Sequence, residues 1–542
     1  MRAAQPACPS VSAEIYTLLT LSYNALHAGI QLTRHTQFFI RYIHLFFPTK
    51  KNTIMKEFIF SKSSSKFFSQ RRFNSVLAGD YQLRTTNTLR KPHFDLNYYA
   101  NRYDLFKDIC QQREVPFALS SDYHESLKIL EELKQKILFS KQELNKMKKD
   151  MKQLIIEQKK SDSNHLSKIH ALKDLIKNSK EPTLRLQELA TNLEDKLTTQ
   201  VARLPNLIHS SVKSKQKLVK YLNPTKEIID SGLEDFPLKS NGHLDHKNIM
   251  EKLGLVDFKE ATRVSGRGWY YLKGDAALLE QALVQYALKC ARNFGFRMII
   301  PPSIVKTEIT NACGFRPRDQ NNEKQVYELQ ADVASDSGLC LTGTAEIPLA
   351  GLMSNHTFND TELPTKYVGI SRSYREEAGA AGRDTRGLYR VHEFTKVELF
   401  AWTKNEEPIS MKMFDELTNF QMHFIESLGL TARVLIMPYN DLGAPAYKKI
   451  DIEALMPGRG AWGELSSVSN CLDFQSRRLT TQWKNPTSHK LEYVHTLNAT
   501  ACAVPRVILA IVENFYDAKS RTIAIPKVLQ PYMDDKTVIA KQ

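Results

Sequence analysis

Tyr374–Phe400 reads YREEAGAAGRDTRGLYRVHEFTKVELF, and its arrangement organises the reading of the whole chain. Tyr374-Arg375-Glu376-Glu377-Ala378-Gly379 leads into a loop, Ala380–Tyr389, that carries Gly382, Arg383, Asp384, Arg386 and Gly387. Val391–Glu398 then returns as a strand whose side chains alternate between two faces, so Phe394, Lys396 and Glu398 share one of them. An arginine at the end of the first strand can neutralise charge developing on a phosphate, and a phenylalanine on the second offers a flat surface to an adenine. Strand, glycine- and arginine-bearing loop, strand therefore describes a cradle for ATP. A salt-bridged surface hairpin would share the pattern. The chain contains neither G-x-x-x-x-G-K-[ST] nor G-x-G-x-x-G, so a nucleotide site here needs some means other than a P-loop or a Rossmann turn.

Around this stretch, residues 243–535 mix helical and strand-like runs. Leu278–Cys290 has helical spacing, while Arg297–Pro301 and Lys396–Ala401 look like strands. Thr344-Ala345-Glu346 precedes the cradle. Asp451-Ile452-Glu453, Glu464-Leu465-Ser466-Ser467 and Asp473-Phe474-Gln475-Ser476-Arg477-Arg478 follow it, and then His495-Thr496-Leu497-Asn498 through Arg506. In this order the segments resemble the class II aminoacyl-tRNA synthetases, in their seryl-tRNA synthetase version. Tyr374–Phe400 resembles motif 2, His495–Arg506 motif 3, and Gly295–Pro302 (GFRMIIPP) motif 1, whose proline lies at a dimer interface in that family. Two departures stand out. Motif 3 reads Asn498-Ala499-Thr500-Ala501-Cys502-Ala503-Val504-Pro505-Arg506, with alanines where bacterial relatives carry glycines. A T-G-D segment found in many relatives has only Asn440-Asp441-Leu442-Gly443 as its counterpart.

The resemblance implies a serine–tRNA ligase and assigns roles to matching residues. Arg375, Arg506 and Glu464 form the catalytic set, with Arg375 bridging the serine carboxylate and the α-phosphate. Thr344, Ala345 and Glu346 form the serine-binding segment, Thr344 and Glu346 taking the ammonium. Glu398, Asn498 and Thr500 surround the hydroxyl. Phe394 and Arg506 sandwich adenine, and Glu377 with the Val391 backbone reads its edge. Glu376, Leu465 and Ser466 complete the ATP-binding set. Glu464 and Ser467 hold Mg²⁺ against the phosphates, and no zinc is expected. Arg383 and Arg386 meet pyrophosphate or the tRNA acceptor end, or remain solvated loop charge. A rival ligase for threonine, or a silent tRNA-binding paralogue, would depart from the T-A-E segment or from Arg375, Glu398, Glu464 and Arg506, all of which stand.

Upstream, Tyr123–Leu204 contains no glycine and is rich in helix formers. Leu130, Ile137, Leu144 and Met151 recur at sevens, interleaved with Leu133, Met147 and Leu154. A second stripe runs through Leu172, Ile176, Leu186, Leu189, Leu193 and Leu197. The spacing predicts an antiparallel helical hairpin whose turn falls at Ser161–His165 or at Lys180-Glu181-Pro182, each leg reaching roughly 55 Å at 1.5 Å per residue. Lys146, Lys148, Lys149, Lys152, Lys159 and Lys160 punctuate it, and Lys213, Lys215, Lys217 and Lys220 follow it. By themselves these lysines fit a solvated face as well as a phosphate contact. In the family, such an arm grips the long variable arm of serine tRNA.

The expected fold is α+β: an N-terminal antiparallel helical hairpin, then a mainly antiparallel sheet flanked by helices. The expected organisation is a leader over 1–75, a tRNA-binding domain with its coiled-coil arm over 76–210, a linker over 211–242 and a catalytic domain over 243–542. The leader carries ten lysines and arginines against Glu14 and Glu57 and is rich in Ser and Phe, which is presequence character pointing to the mitochondrial matrix. Met55 opens a compact version of the same pattern and is the expected start. A formal charge of +16 favours a polyanionic partner. Seven cysteines without a C-x-x-C pair argue against a zinc ribbon or a disulfide framework. No apolar run approaches the roughly 20 residues of a membrane span, so no insertion is expected. ATP, serine, serine tRNA and a second copy of the chain are the implied partners.

Overall fold

The computed structural model describes residues 89–160, 165–231, 236, 238–315, 325–330, 338–377 and 387–541. The leader, Met55, Arg383, Arg386 and Ser161–Asn164 lie outside the described residues. After a short helix α1 (Tyr103–Gln112), two long helices, α2 (Tyr123–Lys160) and α3 (Leu166–Ala202), form the expected hairpin. They run antiparallel: the start of α2 meets the end of α3, with Ser120 N–H donating to Gln200 Oε1 at 3.1 Å and Lys134 pairing with Glu194 at 2.9 Å. None of the expected seam positions of α2 is exposed.

On α3 the seam differs from the leucine stripe. Of the five buried positions, Ile176, Thr183, Ala190 and Leu197 form a strict seven-residue repeat, joined by Val201 one turn beyond, whereas Leu189 faces water at 57% exposure. Threonine and alanine carry the repeat at two of four positions, so counting large apolar residues misses it. Of the two candidate turns, Lys180–Pro182 is no turn, because α3 continues through Pro182. Pro182 and Asn178, whose carbonyl loses its intrahelical donor, both lie on the exposed side, so water can serve that carbonyl. The seam continues on the opposite side.

The C-terminal body is built on an eight-stranded sheet: β1 (Lys217–Leu222), β2 (Arg297–Ile299), β3 (Thr365–Tyr374), β4 (Glu393–Thr403), β5 (Ala432–Ile436), β6 (Lys448–Met456), β7 (Ala461–Asn470) and β8 (His495–Ala503). Its order is β1-β5-β6-β7-β8-β4-β3-β2, antiparallel throughout except for the β2–β3 pair. Six helices matter for the site: α4 (His246–Lys252), α5 (Asp275–Asn293), α6 (Glu346–Leu352), α7 (Glu407–Ser427), α8 (Phe474–Leu479) and α9 (Val504–Phe515). The stretch 211–242, expected to be a linker, contributes the edge strand β1, paired with β5 from Lys217↔Ile436 to Leu222↔Ala432. Lysines at 217 and 220 are what an edge strand carries against further pairing, and they disguise its period.

Central strand β4 explains the layering. Val397, Leu399 and Ala401 enter the main core beneath α5, α7 and α9, together with Leu283, Phe420 and Ile508. On the other face Phe400 and Trp402 pack in a second core with Ile347 and Leu349 of α6. Phe394, Lys396 and Glu398 continue that second face toward the start of β4. Among the described residues no helix is long and apolar enough to cross a membrane.

The seam assignment on α3 reverses the usual hydrophobic ranking of two neighbours. Leu189→Lys should leave unfolding within about 0.5 kcal/mol of the parent, whereas Ala190→Lys should cost about 2 kcal/mol or more, because it drives a charge into the helix interface. Chemical denaturation of the two variants checks the order.

Candidate active site

This second face of β4 forms one wall of a cleft of about 510 Å³ bordered by Arg375, Glu377, Val391, Phe394, Lys396, Glu464, Leu465, Thr500 and Arg506. Nine expected or face-sharing residues thus converge from five separate stretches of chain. Arg375 leaves the end of β3, its amide donating to His392 O at 2.9 Å and its Nε to Gly343 O at 3.3 Å. The guanidinium lies 5.3 Å from the centre of the Phe394 ring. Burial pulls its pKa down, opposed by Glu377. Arg506 starts α9; its Nε donates to Tyr389 O at 3.1 Å, its Nη1 donates to Glu464 O at 2.9 Å, and its guanidinium stacks on Tyr389 at 4.5 Å.

The Glu464–Ser467 spacing looks wrong for a strand, since residues three apart should face opposite sides. A bulge resolves it. Ile452 pairs with Ser466 while Glu453 pairs with Glu464, which leaves Leu465 as the extra residue and restores Glu464 and Ser467 to one side. The same bulge turns Ser466 away from the cleft, and its hydroxyl donates to Thr500 O at 2.6 Å. Ser466 is not among the cleft-lining residues. Glu376 is likewise not among the cleft-lining residues; its amide donates to Gln325 O at 3.1 Å. A matching bulge at Ala501 shifts β8 between Thr500↔Glu398 and Cys502↔Val397, so Thr500 and Ala503 both border the cleft.

At Lys396 and Thr500 the cleft adjoins a buried cluster dense in charge. Glu346, at the start of α6, accepts from Gln475 Nε2 at 2.6 Å and Asn498 Nδ2 at 3.0 Å. Buried Lys396 pairs with Glu398 at 2.6 Å and donates to Thr344 Oγ1 at 3.1 Å. Ala345 is fully buried behind them. Burial, with Glu398 adding to it, pushes Glu346 up to about 7, and burial also raises Glu398 against the pull of Lys396. Within the cleft burial works to raise Glu464, but Arg506, Lys449, Arg375 and Lys396 outweigh it and hold Glu464 below the usual range. Its neighbour Asp451 is held up by burial despite its 2.8 Å pair with Lys449. Among the described residues no three His, Cys, Asp or Glu side chains converge into a metal cage.

Several contributors went unmarked in the sequence. Gln475, inside D-F-Q-S-R-R, orients Glu346. Tyr389, inside the motif 2 stretch, supports Arg506. Lys396 had a signal, its alternation with Phe394 and Glu398. Leu442 and Gly443 of the weakly matching segment turn out to give their carbonyls to Arg113 of the N-terminal part, at 3.5 and 3.0 Å.

An antiparallel sheet with this arginine-lined cleft defines a class II aminoacyl-tRNA synthetase core, and the family described as tRNA synthetase class II core domain (G, H, P, S and T) matches residues 327–515. The mitochondrial serine–tRNA ligase of Saccharomyces cerevisiae is 45% identical over 83% of this chain and 97% of its own length. The chain belongs to the serine–tRNA ligase family. The mitochondrial serine–tRNA ligase of Bos taurus is 34% identical over 80% of each chain. A crystal structure of seryl-tRNA synthetase from Pyrococcus horikoshii complexed with ATP superposes with a TM-score of 0.67, at 30% identity, over 83% of this chain and all of that one.

Proposed function

We propose that the chain activates serine with ATP to seryl-adenylate and transfers the seryl group to the 3′ end of serine tRNA in the mitochondrial matrix. The observation that carries this reading is the adjacency of two unlike groups of residues, a charged cluster and the cleft it adjoins at Lys396 and Thr500. Glu346, Glu398, Asn498, Thr344 and Thr500 suit a small ligand that bears an ammonium and a hydroxyl. Phe394 and Arg506 offer flat surfaces to a base, and Arg375 borders both groups.

In the first step a serine carboxylate oxygen bonds to the α-phosphorus as the bond to the bridging oxygen breaks and pyrophosphate leaves. Arg375 neutralises the charge that develops on the α-phosphate, and alignment replaces any protein nucleophile. Glu464 and Ser467 are oxygen donors that would hold Mg²⁺, which would supply charge neutralisation on the phosphates. In the second step the terminal ribose hydroxyl of the tRNA attacks the adenylate carbonyl and AMP departs. Alanine is rejected because it leaves the hydroxyl-binding groups unpaired.

Exposed Lys146, Lys148, Lys149, Lys152 and Lys159 on the arm support tRNA binding by charge. Met298, Ile300 and Ile304, exposed at 54, 76 and 48% beside the motif 1 resemblance, support a homodimer. Ile300→Asp should then sediment as a monomer where the parent is a dimer. The basic, acid-poor leader and the mitochondrial names of the yeast and bovine relatives support the location.

ATP–pyrophosphate exchange over residues 76–542 tests the reaction. Serine should support it and threonine, alanine and glycine should not, with Arg375→Ala about 100-fold or more slower. Binding of serine tRNA without exchange for any amino acid would make the protein a silent binder. The raised Glu346 gives a second test. An ammonium pairs only with its ionised form, so serine should bind about tenfold more weakly at pH 6 than at pH 8. Calorimetric titration should find that slope flattened in Glu346→Gln, and a parent whose affinity is level across the range would contradict the assignment.

A further inference from the structure

His246 takes no part in the contacts assigned above, yet it is buried against the return limb of the motif 2 loop. Its ring is 3% exposed, and its partner Glu513, near the end of α9, is 1% exposed. Glu513 Oε1 accepts from His246 Nδ1 at 2.9 Å and from the His246 amide at 3.3 Å, while Oε2 accepts from the Gly458 amide at 2.8 Å. On the other side of the ring, the Leu388 amide donates to Nε2 at 3.1 Å. A backbone amide can only donate, so Nε2 carries no proton and Nδ1 does. Gly387, at φ 138°, passes so close to the ring that a methyl group there would collide with it.

What this bond holds is the nucleotide end of the cleft. Leu388, Tyr389 and Val391 border the cleft, and Tyr389 presents both its carbonyl and its ring to Arg506. Arg506 and Glu513 lie seven residues apart on α9, two turns along one side of the helix. One helix therefore fixes Arg506 directly and fixes the strand limb beneath Arg506 through Glu513, His246 and Leu388.

We propose that His246 is a positioning residue for ATP, locking Leu388–Val391 against Arg506 through its Glu513-held ring. The proposal rests on the reading that this cleft takes ATP. His246→Asn retains a donor toward Glu513 but falls short of Leu388. His246→Gln places a carboxamide oxygen where Nε2 lay. Pyrophosphate exchange with the full chain, amide hydrogen exchange over 387–391 and melting curves are measured on the parent and both variants. The expected result is that His246→Asn raises the KM for ATP about tenfold, with the serine KM within about twofold and Leu388 protection lost. His246→Gln should return both the ATP KM, to within about threefold, and the protection. An unchanged ATP KM in His246→Asn, or equal rises for both substrates in both variants, overturns the proposal. Failure of both variants to fold does so too, leaving the ring a core-packing group. Exchange by the parent separates the two failures: an active parent with an indifferent His246→Asn sinks this proposal alone, and an inactive parent sinks the ATP reading beneath it.

Discussion

The structure depends on one strand doing two incompatible things. β4 must bury Val397, Leu399 and Ala401 in the centre of the main core while its opposite face holds Lys396 and Glu398, both nearly inaccessible to bulk solvent. Unpaired, each of those charges would cost several kcal/mol. They persist because they face each other at 2.6 Å and because Thr344 completes the lysine. The pairing nevertheless does not outweigh burial. Glu346 and Glu398 face Lys396, with Arg375 adding a weaker pull on both, and burial still pushes both carboxyls up.

Neighbouring strands meet this geometry only by breaking their own period. Leu465 in β7 and Ala501 in β8 are each one residue too many. Without the first, Glu464 and Ser467 would face opposite sides of the sheet; without the second, Thr500 and Ala503 would. A β-bulge also increases local twist, which suits strands that wrap around a ligand. The two bulges lie on adjacent strands, and their hydrogen bonds interlock: Ser466 donates to Thr500 O, and Gln421 of α7 donates to both Ser467 O and Thr500 O. Irregular backbone groups that a regular ladder would have satisfied are served by one buried glutamine instead.

These features mark the boundary of what the sequence discloses. The hairpin, the strand–loop–strand cradle and the face shared by Phe394, Lys396 and Glu398 follow from local period and residue type, and the sheet from the family resemblance. Three kinds of feature do not. The change of phase at Leu465 was not foreseen because a bulge shifts the register without any residue that announces it. The α3 seam was half missed because Thr183 and Ala190 serve where a narrow gap, not hydrophobicity, selects the residue. β1 was read as linker because an edge strand is protected by the same lysines that make a segment look solvated. In each case the deciding information is the position of a partner distant in sequence.

The same holds for the joint between the arm and the body. Arg113 is buried with no carboxylate beside it. Its guanidinium instead donates to five backbone carbonyls: Asn206 and Leu207 at 3.0 Å, Ala446 at 2.8 Å, Gly443 at 3.0 Å and Leu442 at 3.5 Å. Burial brings its pKa down to about 10, still well above neutrality, so the charge survives. Neutral dipoles solvate it in place of a counterion, and a planar fork can reach two chain segments at once where an ammonium cannot. One of those segments ends the arm and the other precedes β6, whose Asp451 stands beside Glu464. Arg478 adds a second joint, donating to Ala202 O at the end of α3 from the helix whose Gln475 holds Glu346. The cleft and the charged cluster beside it are thereby tied to the base of the arm through buried, directional bonds. Bonds in such a low-dielectric setting strengthen one another, so the base of the arm and the segments that carry Asp451 and Gln475 share one hydrogen-bonded joint.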